Sequence, residues 1–156
     1  MFDLPADTLP VWVGLAFASA AVLGIAVGLP STAPPDASSA AGAVDAVAGS
    51  PHAATTDYSL GGADLRVTPH RLTLGRGGTT AHAAFAYGPV TPVAPGSDLG
   101  RVLDGTPPEA VFDSPGALAA AAHAAREGSP LVVDRATRLT VRHVTWRGLD
   151  VTLVGA

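Results

Sequence analysis

Residues 138–154 read RLTVRHVTWRGLDVTLV. Two alternations of apolar and polar side chains meet at Arg147-Gly148, a two-residue loop whose glycine accepts the positive φ that a tight hairpin needs. Setting Trp146 opposite Leu149 places Val144 against Val151 and Arg142 against Leu153. Trp146, Val144, Leu149, Val151 and Leu153 then share one face, while Leu139 and Val141 fall on the other. Reconciling the two sets requires either a bulge near Arg142 or burial of both faces. Trp146 is expected to pack with Val144, Leu149 and Val151 against helices.

Residues 130–133 form a further candidate strand, and the stretch before them carries three helix signatures. Ser97 caps a short helix bearing Leu99, Val102 and Leu103 and stopped by Gly105. Thr106, Pro107 and Glu109 have the spacing of a capping box, with Val111 and Phe112 following. Ser114-Pro115 opens GALAAAAHAARE, which ends at Gly128 and has Leu118, Ala121, Ala122 and Ala125 on one narrow stripe. Upstream, residues 64–68 look like a strand. Residues 71–74 and 79–87 flank Gly75-Arg76-Gly77-Gly78 as a second hairpin; Pro89, Pro92 and Pro95 then end regular pairing or mark an edge. Hairpin, helices, hairpin reads as an α+β head over residues 58–156: a small antiparallel sheet of two hairpins with the intervening helices packed on one side. About 100 residues suffice for a small core, so a chain beginning near Thr56 is expected to fold alone.

Before the head the character changes. Residues 11–29, VWVGLAFASAAVLGIAVGL, hold no charge and lie between Pro10 and Pro30. At about 1.5 Å per residue they span roughly 28 Å as a helix, close to the hydrocarbon thickness of a bilayer. Trp12 sits where an interfacial anchor belongs. The reading is a transmembrane helix after an N-terminal tail, residues 1–10. That tail has Asp3 and Asp7 but no Arg, so it lacks the basic start of a secretory signal, and an uncleaved anchor is expected. Ala20, Gly24 and Gly28 recur every four residues and are the candidates for helix packing within the membrane. Residues 30–57 are rich in Ala, Ser and Pro and read as a low-complexity stalk. Within them a helix from Asp36 to Gly49, with Val44 and Val47 on one side, would be marginal alone for want of large apolar residues. The expected location is the cell membrane, crossed once, with the head outside.

Composition removes several chemistries. The 156 residues include no Cys, which excludes disulfides, thiol catalysis and cysteine metal sites. All nine cations are Arg, and every acid except Glu109 and Glu127 is Asp. This bias fits adaptation to high salt, where acidic surfaces keep protein soluble; codon bias in a GC-rich genome would give the same Arg-for-Lys pattern. The net charge of −4 argues against nucleic acid as a partner. No pair among His52, His70, His82, His123 and His143 has a spacing that puts two ligands on one face, so no metal and no cofactor is expected. Pairing Gly75 with Thr79 sets His82 opposite Leu72. The Gly75-Arg-Gly-Gly loop joins two strands and so lacks the helix N-terminus of a phosphate loop. Ser97, Ser114 and Ser129 stand at element boundaries, where capping accounts for them. Arg135, Arg138, Arg142 and Arg147 concentrate positive charge near the last hairpin and are the candidate partner surface, with Asp134 and Asp150 as local counter-charges.

The N-terminal MFDLPAD, the run VWVGLAFASAAVLG, the segment TAPPDA, and the blocks PHRLTLGRGGTTAHAAFAYGPVTPV, RVLDGTPPEAVFDSP and VTWRGLDVTLVG together resemble an uncharacterised family of small haloarchaeal membrane-anchored proteins, a domain of unknown function. The likeness covers nearly the whole chain. It carries no activity and no catalytic residues. It implies a partner class: the other single-span membrane proteins of type IV pilus or secretion-like gene clusters. The expected function is a non-enzymatic accessory component of such a surface assembly, with the lipid bilayer as the other partner. The alternative is a membrane-tethered binding domain for a small ligand or anionic polymer, using residues 135–147.

Overall fold

The computed structural model of the chain describes residues 35–156. In chain order the elements are α1 (Ala37–Ala48), β1 (Ala54–Thr68), β2 (Arg71–Arg76), β3 (Thr79–Ala84), β4 (Thr91–Pro92), α2 (Asp98–Leu103), a 3-10 turn at Pro108–Ala110, α3 (Pro115–Glu127), β5 (Leu131–Trp146) and β6 (Leu149–Gly155). The strands form one six-stranded half-barrel sheet in the order β3-β2-β1-β5-β6-β4. Pairing is antiparallel except between β4 and β6, which run parallel.

The last hairpin has the expected register: Trp146 opposite Leu149, Val144 opposite Val151, Arg142 opposite Leu153. Of the two ways to reconcile its apolar residues, burial of both faces is the one realised. Val141 and Val154 belong to a core shared with α1, while Val144, Val151 and Leu153 join Leu99, Val102, Leu103, Leu118 and Ala122 from α2 and α3 in a second. Strands buried on both sides need apolar residues at successive positions, which is why β6 is buried continuously from Val151 to Gly155. The intervening helices α2 and α3 share one face of the sheet, and the other face, expected to be open, is covered by α1.

The first correction concerns strand length: the strand expected at residues 64–68 begins at Ala54, and those expected at 130–133 and 138–146 are one strand. β1 and β5 pair along their length, from Ala54 beside His143 to Val67 beside Leu131, and join the two hairpins at the centre of one sheet. The sequence hides this because the alternation breaks. In β1 the buried residue Leu60 is followed by Ala63, Leu65 and Val67, so inward parity switches between residues 60 and 63. Gly61 (φ +58°) and Gly62 (φ +78°) are the extra residues of a β-bulge that performs the switch. Arg76 closes over it, its guanidinium donating to the carbonyls of Leu60 and Gly61. On the facing strand Arg135 takes φ +50°, and its backbone N–H donates to Asp64 Oδ1 at 2.9 Å.

The second correction concerns the stalk. Residues 37–48 are a core helix. Asp36 caps α1, accepting from Ser39 N at 2.8 Å and from Ser39 Oγ at 2.6 Å. Ala37, Ala40, Ala41, Val44 and Val47 are buried, the i, i+3, i+4 spacing of one helix face. They lie on Leu65, Val67, Leu72, Leu74, Leu139 and Val141. Alanines suit this place because a helix without bulky side chains approaches a sheet closely. Over the described residues, the fold class of stalk and two antiparallel hairpins with helices on one side is thus replaced by a mixed half-barrel with helices on both faces. The expected membrane-spanning residues 11–29, with Ala20, Gly24 and Gly28, lie outside the described residues. Among the described residues no helix is long and apolar enough to cross a membrane.

Smaller differences have local causes. Ser97 and Ser114 cap α2 and α3 as expected, accepting from Gly100 N and Ala117 N. The capping box at Thr106 is not made; Pro107 stands at the head of a single 3-10 turn with no side-chain cap. The first hairpin turns on Gly77-Gly78 alone, so Arg76 pairs with Thr79, and His82 faces Thr73 rather than Leu72.

Candidate functional site

The four arginines of the candidate partner surface arise from one strand and its turn, yet they point to different tasks. Arg142 is half-buried, and its Nη1 donates to the Val102 carbonyl at 2.6 Å, placing a cation at the C-terminal end of α2. Arg138 pairs with Asp57 on β1 at 3.6 Å; both side chains are more than half exposed, so the pair adds little stability. Arg135 occupies the bulge described above. Arg147 (φ +49°) and Gly148 (φ +83°) make the hairpin turn, where two successive positive φ angles match the strand twist. At about 3.3 Å per residue, Arg138 and Arg147 stand roughly 30 Å apart along the strand.

The structure brings Arg138 and Arg142 together and sets Arg135 and Arg147 apart. The pair lines an open hollow of about 420 Å³ with Thr55, Asp57, Asp104 and Thr140. Two guanidinium groups thus face two carboxylates, and the hollow is balanced in charge.

Other polar side chains also serve the architecture. Arg126 reaches from α3 to Thr91, its Nε donating to Thr91 Oγ1 at 2.9 Å, and so ties α3 to the short edge strand β4. Burial disfavours the charged guanidinium and holds its pKa below the ordinary arginine value. His143 and Thr152 face each other across β5 and β6, both buried, with His143 Nδ1 at 3.1 Å from Thr152 Oγ1. Asp150 Oδ1 lies 3.8 Å from His143 Nε2. The order Asp–His–Thr has the makings of a nucleophile relay. Here, however, His143 and Thr152 are both buried, so the contact reads as a satisfied polar pair in the core. No group of three or more potential metal ligands occurs among the described residues.

An apolar groove of about 640 Å³ was not legible in the sequence. Pro92, Leu99, Phe112, Ala125, Leu131 and Val132 line it, with α2 and α3 as its walls. Val132 is 58% exposed there. Its residues come from three separate stretches, 92–99, Phe112 and 121–132, and each taken singly reads as ordinary core or loop.

A half-barrel with helices on both faces, in which Arg76, Arg101, Arg138 and Arg142 are engaged by the chain's own carbonyls or carboxylates, defines a small domain of mixed helix and strand. The chain belongs to a family of unknown function, DUF7283, whose model matches residues 3–144. That match takes in the apolar run, α1 and all of β5 up to Val144, and leaves β6 outside. Neither the curated proteins nor the solved structures provide a match.

Proposed function

We propose that this protein is a non-enzymatic accessory component of a haloarchaeal surface or type IV pilus or secretion-like assembly, held at the cell membrane by residues 11–29 with its folded part outside. The observation that carries this reading is the uncharged apolar run of residues 11–29, whose length matches a bilayer, within the same family match as α1 and strands β1 to β4 of the half-barrel that follows. The Arg-only, Asp-rich composition supports a salt-adapted source. The use of Arg142, Arg126 and Arg76 as internal ties supports a scaffold over a catalyst. Partners are the bilayer and other single-span proteins of the assembly.

Deleting residues 11–29 is expected to move the protein from the membrane pellet to the soluble fraction. A deleted chain that still pellets after a carbonate wash removes the anchor. Affinity purification of the full chain from native membranes is expected to bring pilus or secretion components with it. Recovery of the chain without any of them counts against the assembly.

A further inference from the structure

The two edges of the sheet are built differently. At one edge β4 is only two residues long, and Pro92 lacks a backbone donor, so nothing pairs there over any length. At the other edge β3 has six residues, TTAHAA, with no proline, no Asp, Glu, Lys or Arg, and no register shift against β2. Edge strands are normally blunted by such devices. β3 carries none of them.

The direction of its free backbone groups follows from the hairpin. Phe85 N–H donates to the His70 carbonyl at 3.0 Å, which makes His70 and Phe85 a hydrogen-bonded pair. By alternation Leu72 with Ala83, Leu74 with Ala81 and Arg76 with Thr79 are hydrogen-bonded pairs as well. The residues between, Thr80, His82 and Ala84, turn their N–H and C=O groups outward along the open edge. All three are exposed, and among the described residues no group bonds to their backbone. Just beyond, Asp45 of α1 accepts from the N–H groups of Ala86 and Tyr87 at 2.9 and 3.0 Å, which fastens the chain and ends the open stretch. On the inner face Ala81, Ala83 and Phe85 pack against the core under α1 yet remain only half-buried. The core is unsealed along this edge.

We propose that β3 is a homodimer interface, in which two copies of this chain pair their β3 strands antiparallel about a twofold axis at His82. In that register His82 meets the second copy's His82, and Thr80 meets the second copy's Ala84. Each of these pairs exchanges both of its N–H···O=C bonds, so every outward group of the strand finds a partner. On the inner face Ala81 lies beside the second copy's Ala83, methyl against methyl, and the two cores become continuous. No fixed charge in the strand opposes its own kind. A second copy fits better than an unrelated extended segment because it sets the same small side chains, Ala81 and Ala83, against each other and brings no charge to the pairing. A foreign strand would also need pockets for its alternate side chains to be recognised, and a row of alanines offers none.

The chain has no cysteine, so His82→Cys in the full-length protein introduces a single thiol. Hydrogen-bonded antiparallel pairs hold their Cα atoms about 5.5 Å apart, inside the range of about 4.4–6.8 Å that a disulfide spans. Mild oxidation of His82→Cys, purified in detergent, is expected to convert most of the chain to a covalent dimer. Thr145→Cys, exposed on β5, is expected to stay monomeric. A second variant, His82→Lys, sets like charges against each other on the axis and is expected to weaken the dimer at least tenfold in sedimentation equilibrium, with the far-ultraviolet circular dichroism unchanged. Absence of the dimer in His82→Cys, equal cross-linking of both thiol variants, or an unweakened dimer in His82→Lys overturns the proposal. So does a His82→Cys adduct in native membranes whose mass is not twice that of the chain, which would identify a foreign strand instead.

Discussion

Trp146 stands beside the Arg147-Gly148 turn, half-buried against Val144, Val151 and the residues of α2 and α3. Fully buried tryptophans cost about 3–5 kcal/mol when truncated to alanine; a half-buried one falls below that range, at about 2–3 kcal/mol. Trp146→Ala is therefore expected to lower the thermal unfolding midpoint clearly, read by circular dichroism in high salt. An unchanged midpoint, with a partner or ligand lost instead, would make Trp146 a contact residue. The register around it was legible because every side chain from Val144 to Leu153 obeys one alternation and the turn chemistry fixes the phase. The task of Arg142 was not legible. Its carbonyl partner, Val102, lies forty positions away in a different element, and an arginine on a strand carries no local sign of what it will reach.

At the scale of elements the decisive feature is the Gly61-Gly62 bulge. A Cβ on Gly61 would meet Arg76 Nη2 at 2.9 Å, and the φ of +58° is strained for any L side chain. Gly61→Ala is expected to destabilise the protein by about 1–2 kcal/mol in chemical denaturation. Gly116→Ala, in α3 with no contact closer than 3.8 Å, should be neutral or stabilising by up to about 1 kcal/mol. Equal costs for the two would remove the bulge from the account. The cap of α1 gives a pH-dependent expectation. Hydrogen bonds from Ser39 hold the Asp36 carboxyl below its ordinary value of 3.8. A depressed carboxyl contributes stability that is fully present above 3.8 and disappears as pH falls through the lower folded value. Asp36→Ala should therefore lower the unfolding midpoint at neutral pH and leave it nearly unchanged in strong acid. A difference that persists there would mean that the cap acts through something other than its charge. Helix and cap were both readable around Asp36. Their burial was not, because Ala40, Ala41 and Val44 look too small to hold a core, and their importance comes from the leucines beneath them.

For the molecule as a whole, α1 decides where the folding unit begins. The compact unit runs from Ala33 to Ala156. A chain starting near Thr56 loses the helix whose Val44 and Val47 cover Leu65, Leu72 and Leu139. Burial of each such valine is worth about 1.5–3 kcal/mol, a large share of a small domain's stability. The chain of residues 33–156 is expected to unfold cooperatively in multimolar salt, and the chain of residues 56–156 to show no sigmoidal transition. Comparable cooperativity in both would demote α1 to an accessory. The expectation that a chain beginning near Thr56 folds alone followed from treating low sequence complexity as low structural value, and here the two are unrelated.

The long pairing of β1 with β5 also governs when the fold comes into being. Ala54 meets His143 and Val67 meets Leu131, so the centre of the sheet joins segments roughly 60 to 90 positions apart, a high contact order. Closing loops of that length costs entropy before any contact repays it. A chain leaving the ribosome from its N-terminus has no central strand pair until nearly all of it has been made. The half-barrel is thus a late-folding structure: α1 and the hairpins of β1, β2 and β3 are local, but the sheet has no centre until β5 has been made.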